Sequence, residues 1–434
     1  MMRKFALVLT VLAALGLLVS GAAFAGAPKE IKIGVIYPLT GGAAAAGRVL
    51  RNGAELAAWI ANNKIQGVDM DMAKKAGIQS LGGAKIKLIF KDHQGNPQLG
   101  ADLAKKLIKD DKVVGILGCY FSSVTKTVSA VCERYGVPMI NGSSTSPALT
   151  TRGFKWFWRT TPHDKWFTKD LFELLVGLTQ GKVRGVKAVP RQEINTIVSA
   201  CEKTEWGSHV SSLIKDFAKE YKFNLAKSIL YSAKSPDLSS EVQSMLAAKP
   251  GAMLFASYTS DAILMIKTLK SMKAKPKLIW GQDAGFDKPE FRQLGADIEG
   301  VLIRSVFLPS VAKVKKVAGQ VNALYKKRYG VDLDGASARA FTGLQAWVHV
   351  LEKAGSTDPK AIQKAANAID IPGDQLVVPW AGIKFAKVGN ETGQNIKGMG
   401  LIGQYQMKNG KLTLQIVYPF DLATADMIYP FKGF

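Results

Sequence analysis

Two short stretches rich in hydroxyl side chains offer the clearest chemistry in the sequence. Tyr120 to Ser123 (YFSS) follows the apolar run VVGILG, and Gly142 to Ser146 (GSSTS) follows the run VPMIN. If both runs are strands of one parallel sheet, their carboxyl ends meet at one edge, where open α/β sheets bind ligands. Hydroxyl groups and the free N–H groups of a helix that begins near Ser122 suit a carboxylate. Serine and threonine are also favoured at turns for purely structural reasons, so position alone leaves both interpretations open.

Motifs that would indicate an enzyme are incomplete. Ser123 to Lys126 matches the S-x-x-K motif of penicillin-recognising enzymes, but the companion motifs S-D-N and K-T-G are absent from the sequence. Gly42 to Val49 approaches a phosphate-binding loop, with Arg48 in the place of its lysine. The histidines show no paired spacing for a metal. We therefore expect a binding protein without metal or cofactor, and a serine hydrolase that uses Ser123 and Lys126 is the enzymatic alternative.

The first 25 residues have the three regions of a secretory signal peptide. Arg3 and Lys4 precede an apolar run from Phe5 to Val19, and Ala23-Phe24-Ala25 provides a cleavage site after Ala25. The apolar run is too short to span a bilayer. The sequence therefore predicts a signal peptide over residues 1–25, a periplasmic location, and a mature chain without an integral membrane segment.

The composition and net charge of the chain exclude some classes of protein. Hydrophobic residues make up 47% of the chain and charged residues 21%, which excludes a disordered protein. The formal net charge of +24 would by itself suggest nucleic acid as a partner. An exported protein rarely meets nucleic acid, so we expect no such partner.

Strands alternate with helices in two successive series, which predicts an α/β fold with parallel sheets. The first series runs from Ile31 to Asn141 and the second from Asn195 to Gly281, and helices dominate from Val311 to Ile369. Near the end of the chain, the runs LIGQYQMK and KLTLQIVYP flank Asn409-Gly410, which predicts a β-hairpin with a type I′ turn. Two stretches, 66–83 and 177–193, have the composition of inserted or mobile segments.

Three blocks of the sequence resemble a known receptor family. They are IKIGVIYPLTG, GILGCYFSSVT and YGVPMINGSSTSPALTTRGFKWFWRTTPHD. They are similar to the periplasmic branched-chain amino acid (leucine/isoleucine/valine) binding proteins of ABC importers, which are type I periplasmic binding proteins. The resemblance is strong over 31–164, looser to about 308 and weak beyond.

The resemblance implies two Rossmann-like lobes with parallel sheets, joined by a hinge that the chain crosses three times. Lobe one would comprise 26–162 and 309–378, and lobe two 163–308 and 379–434. The crossings would lie near Pro162, Pro309 and Val378.

The resemblance also implies a set of ligand-binding residues, in which hydroxyls hold a carboxylate, aromatic rings close over the ligand and an acid receives an ammonium. In that order, the matching positions are Ser122, Ser143 and Thr145, then Trp206 and Tyr258, then Asp283. The sequence departs from the family's pattern in having Ala46 where a tyrosine is frequent, and Trp206 and Asp283 where tyrosine and glutamate are common. The pocket therefore differs in shape from that of a standard leucine receptor.

The function implied is that of an ABC importer's substrate-binding protein. A monomer would capture an aliphatic or other neutral amino acid between the lobes and close on it like a Venus flytrap. It would then deliver the ligand to permease subunits in the inner membrane. The alternatives are a receptor of the same fold for short amides, urea or aromatic carboxylates, and a sensor subunit that signals instead of transporting.

Overall fold

The computed structural model describes residues 28–432 and 434. The signal peptide predicted over residues 1–25 lies outside these residues. The described chain forms two large sheets, each covered by helices, so the predicted α/β class with parallel sheets is confirmed.

The first sheet is entirely parallel and has the strand order β2-β1-β3-β4-β5. Its central strands are continuous apolar runs because helices cover both faces, and every residue of β3 is buried. Its strands are β1 (Glu30–Tyr37), β2 (Lys85–Asp92), β3 (Gly115–Gly118), β4 (Met139–Asn141) and β5 (Phe157–Arg159). The helices between them are α1 (Ala44–Asn62), α2 (Pro97–Lys109) and α3 (Ser122–Tyr135).

The second sheet has the order β14-β13-β10-β9-β8-β6-β7. Its strands are parallel except for β13 and β14, which form antiparallel pairs of β10 with β13 and of β13 with β14. Its strands are β6 (Thr196–Glu202), β7 (Asn224–Tyr231), β8 (Ala252–Ala256), β9 (Leu278–Gly281), β10 (Leu302–Ser305), β13 (Leu401–Lys408) and β14 (Lys411–Tyr418). Its helices are α4 (Asp164–Thr179), α5 (Arg191–Ile194), α6 (Glu205–Glu220), α7 (Ser239–Leu246), α8 (Thr259–Ser271) and α9 (Pro289–Arg292).

Helices follow β10, as the sequence predicted. They are α10 (Val311–Val314), α11 (Lys316–Tyr329), α12 (Gly335–Ala354) and α13 (Pro359–Ala366), and a small ribbon of β11 (Ile371–Pro372) and β12 (Gly382–Ile383) comes next. Helix α12 begins at a capping box, in which Asp334 accepts a hydrogen bond of 2.7 Å from the Ser337 N–H. It packs very closely on α1. At the contact, a Cβ atom added to Gly53 would lie only 2.2 Å from the Ser337 carbonyl oxygen, so only glycine fits there. Helix α12 therefore belongs to the layer of the first sheet.

The predicted terminal hairpin is confirmed. Strands β13 and β14 are joined by Asn409 and Gly410, whose φ angles are 51° and 72°. Positive φ at both central residues defines the type I′ turn, whose twist matches that of the flanking strands.

The two stretches expected to be inserted or mobile are packed parts of the fold, so that expectation is wrong. Within 66–83, Met70 and Ile78 are fully buried, and the Gly77 N–H donates to the Ala61 carbonyl at 2.7 Å. Within 177–193, Val183 and Val189 are buried, and the first three residues end α4. Glycines and polar residues suggested loose segments, but their apolar residues anchor them to neighbouring helices.

The third crossing between the lobes was expected near Val378, and residues beyond that position still contact the first sheet. The Arg159 N–H of β5 donates to the Gly393 carbonyl, and the Asn395 N–H donates to the Arg159 carbonyl, both at 2.8 Å. Residues 393–395 thus extend the edge of the first sheet. We propose that the lobe boundary lies near Gly398.

Candidate functional site

A cavity of about 20 Å³ lies where the carboxyl edges of the two sheets face each other. All six residues singled out from the sequence line it, together with four others, and every one of the ten is buried. The lining residues are Tyr120, Ser122, Ser143, Thr145, Trp206, Tyr258, Asp283, Ala284, Arg304 and Arg339.

The hydroxyl cluster, Ser122, Ser143 and Thr145, comes from the first sheet. Ser122 is the first residue of α3, and its Oγ accepts a hydrogen bond of 3.3 Å from the Ser146 N–H. The Ser143 Oγ is buried and makes no hydrogen bond to any described residue. A buried hydroxyl without a partner is costly, and this one lines the cavity, where a ligand could pair with it.

Asn141, the last residue of β4, fixes the loop that carries Ser143 and Thr145. Its Oδ1 accepts from the N–H groups of Ser143 and Ser144 at 3.2 and 2.9 Å, while its Nδ2 donates to the Gly118 carbonyl at 2.8 Å. The Ser144 Oγ lies 2.6 Å from the Thr125 Oγ1, inside α3. The loop is thus tied to both neighbouring strand ends before any ligand arrives.

Arg159 supports the same loop from behind. Its side chain is fully buried, and Nη1 donates to the Ser146 carbonyl at 2.6 Å while Nε donates to the Gln394 Oε1 at 2.6 Å. A guanidinium in this position places positive charge close to the hydroxyl cluster.

The aromatic cluster, Tyr120, Phe121, Trp206 and Tyr258, lies across the cavity. The ring centre of Tyr258 is 5.0 Å from that of Trp206, 4.3 Å from that of Phe121 and 5.8 Å from that of Tyr120. Burial raises the pKa of the Tyr120 and Tyr258 hydroxyls, so both remain neutral hydrogen-bond donors. Neither hydroxyl has a hydrogen-bond partner among the described residues.

Asp283 is held towards the cavity by an uncommon backbone conformation. Asp283 and Ala284 follow β9 with φ angles of 50° and 45°, and the Asp283 N–H donates to the Gly281 carbonyl at 2.9 Å. Such left-handed conformations at non-glycine residues cost about 1–3 kcal/mol each and cluster at functional sites.

Asp283 forms an ionic cluster with Arg304 and Arg339, which the sequence analysis did not predict. The Asp283 Oδ2 pairs with the Arg304 Nη1 at 3.1 Å and also with the Arg339 Nη2. Burial raises the pKa of Asp283, but the two guanidinium groups, Arg339 before Arg304, outweigh it and hold the pKa below the usual value. Asp283 is therefore ionised.

Arg304 also connects the ionic cluster to a buried acid at the start of α4. Its Nη2 donates to the Asp164 Oδ1 at 3.1 Å and to the Thr145 Oγ1 at 3.3 Å. The Asp164 Oδ1 accepts two further hydrogen bonds, at 2.9 Å from the Gln282 Nε2 and at 3.4 Å from the Trp206 Nε1. Thr145 and Arg304 thus join the two sheets at the base of the cavity.

Both arginines carried a signal that sequence reasoning passed over. Arg304 interrupts a short apolar strand, and Arg339 lies in a run of small and apolar residues at the start of α12. A charged residue inside a segment destined for burial needs a partner and is a candidate for function.

Three further features complete the description. Among the residues that the structure describes, no helix combines the length and the apolar character needed to cross a bilayer. The same residues contain no group of three His, Cys, Asp or Glu side chains placed to hold a metal ion. Lys126, the last residue of the incomplete S-x-x-K motif, forms an ion pair of 2.9 Å with Glu205.

Comparison with known proteins identifies the family. Residues 30–406 match the family model described as periplasmic binding protein. The Leu/Ile/Val-binding protein homolog 7 of Brucella suis biovar 1 (strain 1330) is 27% identical over 433 residues, which cover 99% of this chain and 100% of the relative.

Solved structures show the same fold. The leucine binding protein LivK of Thermotoga maritima MSB8 has a TM-score of 0.73 at 21% identity and covers 90% of this chain, with 100% of its own length covered. A solute binding protein of an ABC transporter from Rhodopseudomonas palustris BisB5, in complex with 3,4-dihydroxybenzoic acid, has a TM-score of 0.72 at 18% identity, with 93% and 99% covered.

These proteins are solute-binding proteins and not enzymes, and the two-sheet architecture matches theirs. The chain belongs to the periplasmic binding protein family and has the type I fold.

Proposed function

We propose that the protein captures a small carboxylate-bearing solute between its two sheets and delivers it to the permease subunits of an ABC importer in the inner membrane. The observation that carries this proposal is a cavity between the sheets in which buried hydroxyls of Ser143, Tyr120 and Tyr258 lack partners among the described residues. Such groups favour a polar ligand.

In this proposal the hydroxyl cluster receives the carboxylate. The groups available are the hydroxyls of Ser122, Ser143 and Thr145, with Arg159 behind their loop. A hydrogen bond to a charged group contributes about 1.5–3 kcal/mol. Three of them, after desolvation is offset, support a micromolar dissociation constant, about −8 kcal/mol.

Two ligand classes follow from different observations. The predicted neutral amino acid would place its ammonium near Asp283 and the aromatic cluster, and the curated relative is named a Leu/Ile/Val-binding protein homolog. An aromatic carboxylate would stack on the rings of Tyr120, Trp206 and Tyr258, and a structural neighbour was solved with 3,4-dihydroxybenzoic acid.

Ligand capture requires the lobes to move. All ten lining residues are buried, and they come from elements of both sheets. A solute can therefore enter only when the sheets separate, and its contacts with both walls favour the closed arrangement. We propose that the permease recognises this closed form, whereas a sensor of the same fold would present it to a signalling partner.

We also propose that residues 1–25 are the signal peptide and that the mature protein is a periplasmic monomer. Amino-terminal sequencing of the protein from a periplasmic fraction should begin at Gly26. Retention of residues 1–25 in that fraction would contradict the cleavage site.

The central test is a calorimetric panel on protein that has been unfolded, dialysed and refolded to remove carried-over solute. The panel contains neutral amino acids, aromatic carboxylates, short amides and urea. At least one carboxylate should bind with one-to-one stoichiometry and micromolar affinity, and a variant carrying both Ser122→Ala and Ser143→Ala should lose that binding. Binding of amides or urea alone would contradict a carboxylate ligand.

A further inference from the structure

The cavity offers little surface to an aliphatic side chain. Among its lining residues in the described chain, only Ala284 is aliphatic, and the others carry hydroxyl, charged or aromatic groups. The apolar surface of the cavity comes mainly from the rings of Tyr120, Trp206 and Tyr258, which lie together on one side. The wall formed by the ionic cluster carries charge instead, so we expect the end of the ligand that lies there to be polar.

The ionic cluster has unused hydrogen-bond donors. A guanidinium has five N–H donors, yet Arg339 makes its ion pair to Asp283 through Nη2, and its Nε has no partner in the described part of the chain. The Arg304 Nε is also without a partner there. Both side chains are 98% buried and line the cavity, so these donors are shielded from bulk solvent and accessible to a group bound in the cavity.

The cavity wall also has an excess of positive charge. The cavity is lined by two guanidinium groups, of Arg304 and Arg339, and by one carboxylate, of Asp283. Both guanidinium groups pair with the same carboxylate oxygen, Asp283 Oδ2. Asp164 pairs with Arg304 from behind. Arg339 has only its share of Asp283, and a buried charge left this incompletely paired favours another anion.

We propose that Arg304 and Arg339 bind a second anionic group of the ligand, so that the solute is a small compound with two carboxylates, one at each end. This inference rests on the proposed function, in which the hydroxyl cluster holds the first carboxylate. An acidic amino acid or a short dicarboxylic acid carries two carboxylates on a chain of a few carbon atoms, and the cavity, about 20 Å³ in this closed arrangement, must widen to admit it. Bidentate pairing of guanidinium with carboxylate supplies the specificity.

The direct test compares ligands that have a second carboxylate with ligands that lack one. Calorimetry on refolded wild-type protein should show L-glutamate or glutarate binding at least tenfold more tightly than L-glutamine, L-leucine or 4-hydroxybenzoate. Arg339→Gln should reduce the affinity for the two-carboxylate ligand at least tenfold more than the affinity for single carboxylates, because any effect on closure is common to both while the second carboxylate alone loses its partner.

Arg152→Gln is the matched control. Arg152 is a partly buried arginine that donates to the carbonyls of Leu149 and Lys126 and does not line the cavity. This variant should leave both affinities unchanged. If Arg339→Gln does not fold, Arg339→Lys keeps the charge beside Asp283 but loses the planar fork, and it should still favour two-carboxylate ligands, with reduced affinity.

The outcomes separate this inference from the proposed function. Tightest binding of leucine or 4-hydroxybenzoate would overturn the second anion while leaving the carboxylate receptor in place. Failure of every carboxylate to bind would overturn both. Mass spectrometry of solutes released from freshly purified wild-type protein provides an independent measure, since a two-acid compound supports the inference and a neutral or single-acid compound refutes it.

Discussion

The hydroxyl cluster and the ionic cluster line the same cavity but are held in place in different ways. Ser143 and Thr145 sit in a loop that Asn141, only a few residues away, fixes through backbone hydrogen bonds. Asp283 and Arg339 lie far apart in the sequence and come from opposite layers of the molecule. The hydroxyl cluster is therefore organised locally, whereas the ionic cluster, whose Asp283 and Arg304 both belong to the second sheet, gains Arg339 only when the two lobes meet.

The two clusters therefore contribute differently to the structure of the protein. The loop of the hydroxyl cluster holds its shape within the first sheet, whatever the position of the second. The ionic cluster joins the lobes, because Arg339 on α12 pairs with Asp283 after β9. Substitutions in the ionic cluster should therefore change both the stability of the fold and the closure of the lobes. Substitutions in the loop of the hydroxyl cluster should change either stability or ligand binding, depending on the residue.

The largest effect is expected from Asp283→Asn. The substitution leaves two buried guanidinium groups without their shared carboxylate, and breaking a buried ion pair costs about 3–5 kcal/mol. Urea unfolding without ligand should show this loss in the free energy of unfolding. The control is Asp426→Asn, which removes an exposed pair with Arg184 and should cost less than about 1 kcal/mol. Equal losses in the two variants would show that the ionic cluster does not stabilise the fold.

Asn141→Ala is expected to come next. It removes the acceptor for two loop N–H groups and the donor to the Gly118 carbonyl, all of them buried, at a cost of about 2–3 kcal/mol. Thermal and urea unfolding measure the loss. Asn224→Ala, at an exposed position that begins β7, should stay within about 0.5 kcal/mol of wild type. A loss at Asn141 no greater than at Asn224 would mean that the loop does not depend on its side chain.

Ser143→Ala and Ser144→Ala form a matched pair within the same loop. The Ser143 Oγ has no partner in the described chain, so its removal should leave stability unchanged but weaken carboxylate binding about tenfold, or 1.4 kcal/mol. The Ser144 Oγ donates to the Cys119 carbonyl at 3.1 Å, so its removal should lower stability by about 1–2 kcal/mol. Calorimetry and urea unfolding on both variants give the two quantities. A Ser143→Ala protein with full affinity would remove Ser143 from the carboxylate site.

The smallest effect is expected at the exposed edge of the cleft. Lys126 of α3 pairs with Glu205 of α6 at 2.9 Å, and the lysine side chain is half exposed. Lys126→Gln should weaken ligand binding by less than about 1 kcal/mol, because exposed pairs contribute little. The difference from wild type should disappear in about 1 M salt, where exposed charges are screened. A loss of affinity in Lys126→Gln as large as that in a variant of the ionic cluster would contradict the expectation that buried pairs contribute more than exposed ones. A loss that does not change with salt would contradict it too.

The parts of the fold that were predictable share a local cause. The apolar runs, the hydroxyl-rich loops after β3 and β4, and the Asn409-Gly410 turn can each be recognised within a few residues of sequence. Family resemblance added Trp206, Tyr258 and Asp283, and the structure brings all three to the same cavity as the hydroxyl cluster. Their roles in binding remain predictions.

The parts that were missed depend on contacts between distant segments. Arg304 and Arg339 belong to no motif, and neither spacing nor periodicity shows that both pair with Asp283. The packing of 66–83 against neighbouring helices was missed because its irregular sequence, with several glycines, does not reveal where its apolar residues will be buried.

The amino-acid sequence by itself determined the alternation of strands and helices, the terminal hairpin and the polar loops at the strand ends, because these follow from the periodicity and conformational preferences of neighbouring residues. Only the tertiary structure decided which charges face each other across the cleft and which hydroxyls remain without partners. The physical reason is that the environment of a buried charge is set by whichever segments pack against it, and here those segments come from both sheets.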